Sequence, residues 1–190
     1  MDRRSFLGAT AAALSVGAAG CVGDGFPLRA PNAGDGQLLE ADCGELSRPE
    51  PDAPTAGEAI QPVDYPGPPP TPLEETAALE YVSAFERAYR RNLEIQSASP
   101  YLIEYGLSET DRAVEERGTD GYLVRLEYVF HGTIADGPAS DSAPTRVSYA
   151  LDPGLVVRAG ADTSDGPDED WPEVSTAGTA VACFERTESG

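Results

Sequence analysis

The sequence contains no lysine, a single histidine and only three cysteines among its 190 residues. All 13 basic residues are therefore arginines, and they are opposed by 33 aspartates and glutamates, which gives a formal net charge of −20 at pH 7. A chain this acidic repels nucleic acids and anionic membrane surfaces. We therefore expect no nucleic-acid partner.

The usual catalytic and cofactor-binding motifs are also missing. The sequence has no phosphate-binding glycine loop, no paired-cysteine zinc pattern and no G-x-S-x-G. His131 ends the most regular predicted strand, where a position at the rim of the sheet is favoured over a catalytic role. The acidic stretch 162–171 fails as an EF-hand loop because its glycine falls at the fifth position and not the sixth. We expect a solvated acidic loop there, and no enzymatic activity, cofactor or specific metal site.

The excess of acidic residues and the absence of lysine indicate the kind of organism from which the sequence comes. Abundant Asp and Glu without lysine resembles the protein composition of extremely halophilic archaea. A GC-rich genome that encodes arginine in place of lysine is the alternative, and the two explanations are compatible. At molar salt the screening length falls to about 3 Å, so the self-repulsion of such a chain largely disappears.

The N-terminus combines two export patterns. Arg3, Arg4, Phe6 and Leu7 resemble the twin-arginine export signal, and the apolar run 8–19 is shorter than the ~20 residues of a spanning helix. Ala-Ala-Gly directly before Cys21 resembles a lipobox. The resemblance as a whole is to twin-arginine-exported haloarchaeal lipoproteins, a group without an established activity. It implies a signal peptide over residues 1–20 and a lipid on Cys21 that holds the protein at the extracellular face of the cell membrane.

If Cys21 carries lipid, Cys43 and Cys183 are the two cysteines that remain. In an oxidising compartment this favours a disulfide between them. The alternative is a metal site, but two distant thiols and one histidine give no recognisable ligand spacing.

Residues 21–70 are expected to form an acidic tether rich in proline and glycine. Eleven of the 17 prolines lie between Pro27 and Pro72. Proline removes backbone donors and clashes with the preceding helical turn, so this segment predicts coil or polyproline II.

Residues 71–190 are expected to form a single α+β domain with an acidic loop and a C-terminal strand. Thr71, Pro72 and Glu74 match a capping box, and apolar residues recur behind it at spacings of three and four, which predicts an amphipathic helix over 72–96. Alternating residues then predict strands near 101–107, 122–131, 145–151 and 155–158, and a last strand-like run at 179–184. The stretch 108–117 is polar and ambiguous. The fold class is a helix packed on a three- to four-stranded antiparallel sheet, and its element order resembles cystatin-like and NTF2-like folds, from which no site is transferred.

Two clusters in this domain have both a functional and a structural interpretation. Arg87, Arg90 and Arg91 suit an anion site, but ion pairs with Glu86 and Glu94 on the same helix are favoured. The tyrosines could line a pocket, but core packing with hydroxyls at the rim is favoured. They are Tyr81, Tyr89, Tyr101, Tyr105, Tyr122, Tyr128 and Tyr149.

These features predict a non-enzymatic interaction or structural role at the cell envelope, with an envelope protein as partner. The alternative is an extracytoplasmic module that binds a small molecule or peptide in a cleft between helix and sheet.

Overall fold

The computed structural model describes residues 43–98, 102–160 and 170–185. The helices and strands follow in the order α1 (Glu75–Ala98), β1 (Leu102–Arg117), β2 (Gly121–Ile134), β3 (Ala139–Asp141), β4 (Thr145–Asp152), β5 (Leu155–Gly160), α2 (Val174–Ala177) and β6 (Thr179–Cys183). All strand pairs are antiparallel. The prediction of an α+β fold with a helix on an antiparallel sheet is therefore confirmed.

The sheet has more strands than predicted. Within the described residues it contains six, in the order β1-β2-β4-β5-β6 with β3 paired to β2. The ambiguous stretch 108–117 belongs to β1, which continues to Arg117 with one register irregularity between Glu109 and Asp111. Most side chains there are exposed on both faces, so the alternation that marks a strand is absent although the backbone pairs with β2.

Helix α1 begins three residues later than predicted. The backbone N–H of Ala78 donates to the carbonyl of Glu74 at 2.8 Å, which places Glu74 and not Thr71 at the N-cap. The expected capping box is therefore wrong. Residues 71–74 lie outside the helix, and Leu73 packs against the core.

The core lies between α1 and one face of the sheet. Val124 pairs with Tyr149 and Leu126 pairs with Val147, so the alternating residues of β2 and β4 share the helix-facing side as predicted. Phe85 of α1 packs edge-on against Tyr149 at 6.0 Å between ring centroids. A smaller cluster lies on the opposite face of the sheet, beneath α2.

Residues 43–70, which the sequence places within a tether, make specific contacts with the domain. We call residues 59–67 the strap. Arg91 donates twice to the carbonyl of Gln61, Asn92 donates to the carbonyl of Val63, and Tyr81 donates to that of Gly67. A proline-rich segment cannot form a helix, but its carbonyls remain available to such donors. The strap has no regular secondary structure, and the side chains of α1 hold it in place.

Candidate functional site

A closed cluster of charged and phenolic groups occupies the centre of the core. Glu86 and Arg158 are 1% and 4% exposed, and Nε of Arg158 lies 2.9 Å from Oε2 of Glu86. The Tyr128 hydroxyl donates to Oε1 of Glu86, and the Tyr149 hydroxyl donates to Oε2. The guanidinium of Arg158 also lies 4.0 Å from the centroid of the Tyr89 ring.

The helix and three strands bring these groups together. Glu86 follows Phe85 in α1 and lies on the face that packs against the sheet. Arg158 of β5 is paired with Tyr149 of β4, so both side chains point to the same face. Tyr128 reaches the cluster from β2, the neighbour of β4.

The electrostatics keep Glu86 ionised and the tyrosines neutral. Burial alone would raise the pKa of Glu86, but the charge and hydrogen bonds of Arg158, with those of Tyr128 and Tyr149, lower it. Burial, and then the negative charge of Glu86, raises the pKa values of Tyr128 and Tyr149 well above the usual value. Burial would lower the pKa of Arg158, but Glu86 raises it.

This arrangement favours a structural role for the cluster. Each carboxylate oxygen of Glu86 accepts from one tyrosine and from Arg158, whose Nη2 lies 3.1 Å from Oε1. These three residues surround the carboxylate with four hydrogen bonds, and the buried side chains leave a substrate no approach to it. A satisfied buried network of this kind fixes the relative positions of helix and strands.

The tyrosines therefore differ from the prediction in one respect. Tyr81, Tyr89, Tyr128 and Tyr149 are buried in the core and Tyr122 packs against it, but the hydroxyls of Tyr128 and Tyr149 lie at its centre and not at its rim. Tyr105 is half-buried and stacks on Phe130. Tyr101 lies outside the described residues. The helix–sheet interface, where a binding cleft was the alternative prediction, is filled by these rings together with Phe85.

The three helix arginines serve three different contacts. Arg90 pairs with Glu94 at 2.6 Å, as predicted, and its guanidinium lies 4.0 Å from the Phe130 ring centroid. Arg87 pairs instead with Glu109 of β1 at 2.8 Å. Arg91 donates to the strap. The predicted partner Glu86 binds Arg158, so the structure does not bring these arginines together as an anion site.

His131 is exposed near the end of β2, where it is paired with Asp141 of β3 as well as with β1. It is opposite Gly106 of β1, and its ring lies so close that a Cβ on this glycine would be 2.1 Å from Cε1. The imidazole therefore covers the glycine in a cross-strand contact.

The structure joins Cys43 and Cys183 in a disulfide, as predicted, with Cα atoms 5.9 Å apart. The bond attaches the start of the described chain to β6, and Ser47 donates to the carbonyl of Ala180 beside it. Arg3, Arg4, Phe6, Leu7 and Cys21 lie outside the described residues, and so does most of the acidic stretch 162–171.

A surface cleft of about 480 Å³ lies between residues 48–51 and the strap, beside Asn92 of α1. Its lining includes Arg48, Glu50, Asp64, Tyr65 and four prolines. The Tyr65 hydroxyl donates to the carbonyl of Pro49, and Arg48 lies 4.7 Å from the Tyr65 ring centroid. The volume falls within the range of small-molecule sites.

Within the described ranges, no group of three or more His, Cys, Asp or Glu side chains is arranged to hold a metal ion. In the same residues, no helix has the length and apolarity required to span a membrane.

Sequence reasoning missed the Glu86–Arg158 pair, although both positions carried a signal. Glu86 lies four residues after Val82 and beside Phe85, within the apolar stripe of the helix, and Arg158 follows Val156 at the spacing of one strand face. A charged residue on the buried face of each element indicates a buried partner of opposite sign.

No protein-family model, curated protein or solved structure matches this chain.

Proposed function

We propose that this chain is an exported, lipid-anchored surface protein with a non-enzymatic interaction or structural role at the envelope of a halophile. The observation that carries the proposal is the disulfide between Cys43 and Cys183, because such bonds persist in oxidising compartments outside the cytoplasm. With those two cysteines paired, Cys21 is the remaining thiol, and it follows the lipobox pattern.

Two features support an interaction or structural role over a catalytic one. The space between α1 and the sheet is filled by apolar side chains and by the closed cluster around Glu86. Among the described residues, Ile134 is the one large hydrophobic side chain that is exposed, so that part of the surface has no cluster of large apolar side chains. Such a surface suits a protein that faces brine and recognises its partners through polar contacts.

Expression in a haloarchaeal host tests the anchor and the export route. Mass spectrometry should find a chain that begins at a lipid-modified Cys21. Cys21→Ala should release the protein into the medium, whereas Arg3→Lys with Arg4→Lys should leave the unprocessed chain in the cell. An unmodified Cys21 that is still joined to residues 1–20 would contradict the proposal.

The cleft beside the strap favours a second candidate, a module that binds a small molecule or peptide. It lies outside the helix–sheet interface, so the cleft between helix and sheet that the sequence offered as the alternative is not where such a ligand would bind. Native mass spectrometry of the protein purified from its own membranes at molar salt separates the two candidates. A reproducible protein partner supports the interaction role, and a retained small mass supports the binding module.

A further inference from the structure

The two edges of the sheet differ in how they are covered. The segment after Cys43 covers the β6 edge, where the backbone N–H of Ser47 donates to the carbonyl of Ala180. At the β1 edge, the backbone N–H of Ile60 in the strap donates to the carbonyl of Leu102, and the Arg87 side chain donates to that of Leu107. Beyond the irregularity at Glu109, no described segment pairs with the outer side of residues 111–117.

This open edge is a regular strand and not a frayed end. Each residue from Asp111 to Arg117 is paired in unbroken register with β2. Nearly all of its side chains are exposed, and Val114 is half-buried against the core. An uncovered edge in regular register is a template for another strand.

We propose that residues 111–117 pair antiparallel with the same residues of a second copy of this chain, with the two-fold axis at Val114. In that register the two Val114 side chains are opposite each other. Arg112 is opposite Glu116 of the second copy, and Asp111 is opposite Arg117. Symmetry repeats both pairs, so the interface contains four contacts between opposite charges.

The charges select this register against its neighbours. An axis at Ala113 places Asp111 opposite Glu115, and an axis at Glu115 places that residue opposite itself. Shifts by one residue fail as well, because they oppose Asp111 with Glu116 or Arg112 with Arg117. Like charges directly opposite each other destabilise a strand pair, so the axis at Val114 is the arrangement without such a contact.

The side chains needed for these contacts are exposed. Oδ1 of Asp111 accepts from the backbone N–H of Arg112 at 2.8 Å, so Oδ2 is the oxygen left for Arg117 of the second copy. Arg112 and Glu116 are exposed and have no ion-pair partner among the described residues. Arg117 is 3.7 Å from Glu115, a long contact between two exposed groups that a better partner can replace. High salt screens the long-range repulsion between two acidic chains more than it screens charges in direct contact.

Analytical sedimentation at about 1 M NaCl tests the pairing. The protein is the full chain with Cys21→Ser, which removes the thiol outside the disulfide. The substitutions are at exposed residues of the edge, so they leave the core unchanged. The chain with the native residues 111–117 should show a monomer–dimer equilibrium. Arg112→Glu and Glu116→Arg should each weaken it at least about tenfold, because each converts two attractive contacts into repulsive ones. The double variant R112E/E116R should restore it, and so should a mixture of the two single variants, in which the opposite charges meet again.

A cross-linking experiment tests the register itself. Val114→Cys should form a dimer through a disulfide at the two-fold axis, whereas Ala113→Cys should do so at least about tenfold more slowly, because its opposite residue is Glu115. The proposal is overturned if the chain is monomeric at every concentration, since another segment or protein then covers the edge. It is equally overturned if the charge swap does not restore association, or if the two cysteine variants cross-link alike.

Discussion

Removal of either charge from the buried Glu86–Arg158 pair should destabilise the domain far more than removal of both. Glu86→Gln leaves the guanidinium of Arg158 in the core without a counter-charge, and Arg158→Met leaves the carboxylate of Glu86 with two hydroxyl donors. Breaking a buried pair from one side costs about 3–5 kcal/mol.

The double variant E86Q/R158M removes the second uncompensated charge and keeps a side chain of similar shape at each position. We expect it to be more stable than either single variant, which corresponds to a coupling energy of at least about 3 kcal/mol. Urea unfolding of all four proteins with the disulfide intact measures this quantity directly. Because a domain has about 5–15 kcal/mol in total, Tyr128→Phe provides a milder variant, with an expected loss of about 1.5–3 kcal/mol.

Glu109→Gln is the matched control, because it removes a carboxylate whose partner Arg87 is half exposed. Its expected loss is about 0–1 kcal/mol. If the effects of Glu86→Gln and Arg158→Met add within about 0.5 kcal/mol, the two groups are not coupled and the reasoning is wrong. The same holds if Glu86→Gln has no larger effect than the control.

Three further predictions concern the disulfide, the buried tyrosines and the strap. The variant with Ser at both Cys43 and Cys183 should lose up to about 5 kcal/mol of unfolding free energy, since the bond closes a loop with a sequence separation of 140; an unchanged urea midpoint would exclude that contribution. Tyr128 and Tyr149 keep their protons in the folded protein, so their contribution to the free energy of unfolding is complete below pH about 10 and is lost as pH rises above it. Ultraviolet titration should show that these two tyrosines ionise only when the protein unfolds. Smooth ionisation in the folded state would contradict this. Asn92→Leu removes both hydrogen bonds to Val63 and should increase proteolysis within the strap at equal protease, whereas unaltered cleavage would show that the other contacts suffice.

The cluster also predicts how stability depends on acid. The pKa of Glu86 is lower in the folded state than its ordinary value. Its ionised carboxylate therefore contributes to the free energy of unfolding above the pKa of the unfolded state, and this contribution is lost as pH falls through the pKa of the folded state. Acid unfolding of E86Q should therefore lack part of the pH dependence of the parent chain. Identical acid profiles for the two proteins would contradict the assigned shift.

The parts of the fold that sequence reasoning predicted are those in which one face is buried and the other exposed. The stripe of α1 and the alternation of β2 retain their periods, so the pattern of Val124 and Leu126 identifies the buried side without any tertiary information. The second half of β1 could not be predicted in this way, because exposure on both faces removes the period. The strap was equally hidden, since Asn92 binds Val63 across 29 residues and no local signal precedes that contact.

The buried pair and the acidic surface should respond differently to salt, and this difference separates two sources of stability. Surface charges interact through solvent, so their repulsion falls as the screening length shrinks to about 3 Å at 1 M. The contact between Glu86 and Arg158 is enclosed by protein, and ions cannot enter between groups 2.9 Å apart. The parent chain should therefore become more stable as salt increases, while the coupling energy of the pair stays constant. The small effect of Glu109→Gln, whose partner Arg87 is half exposed, should meanwhile decrease. A coupling energy that falls with salt in the same proportion as the control would mean that water and ions reach Glu86, and the cluster would then be an accessible site and not a closed one.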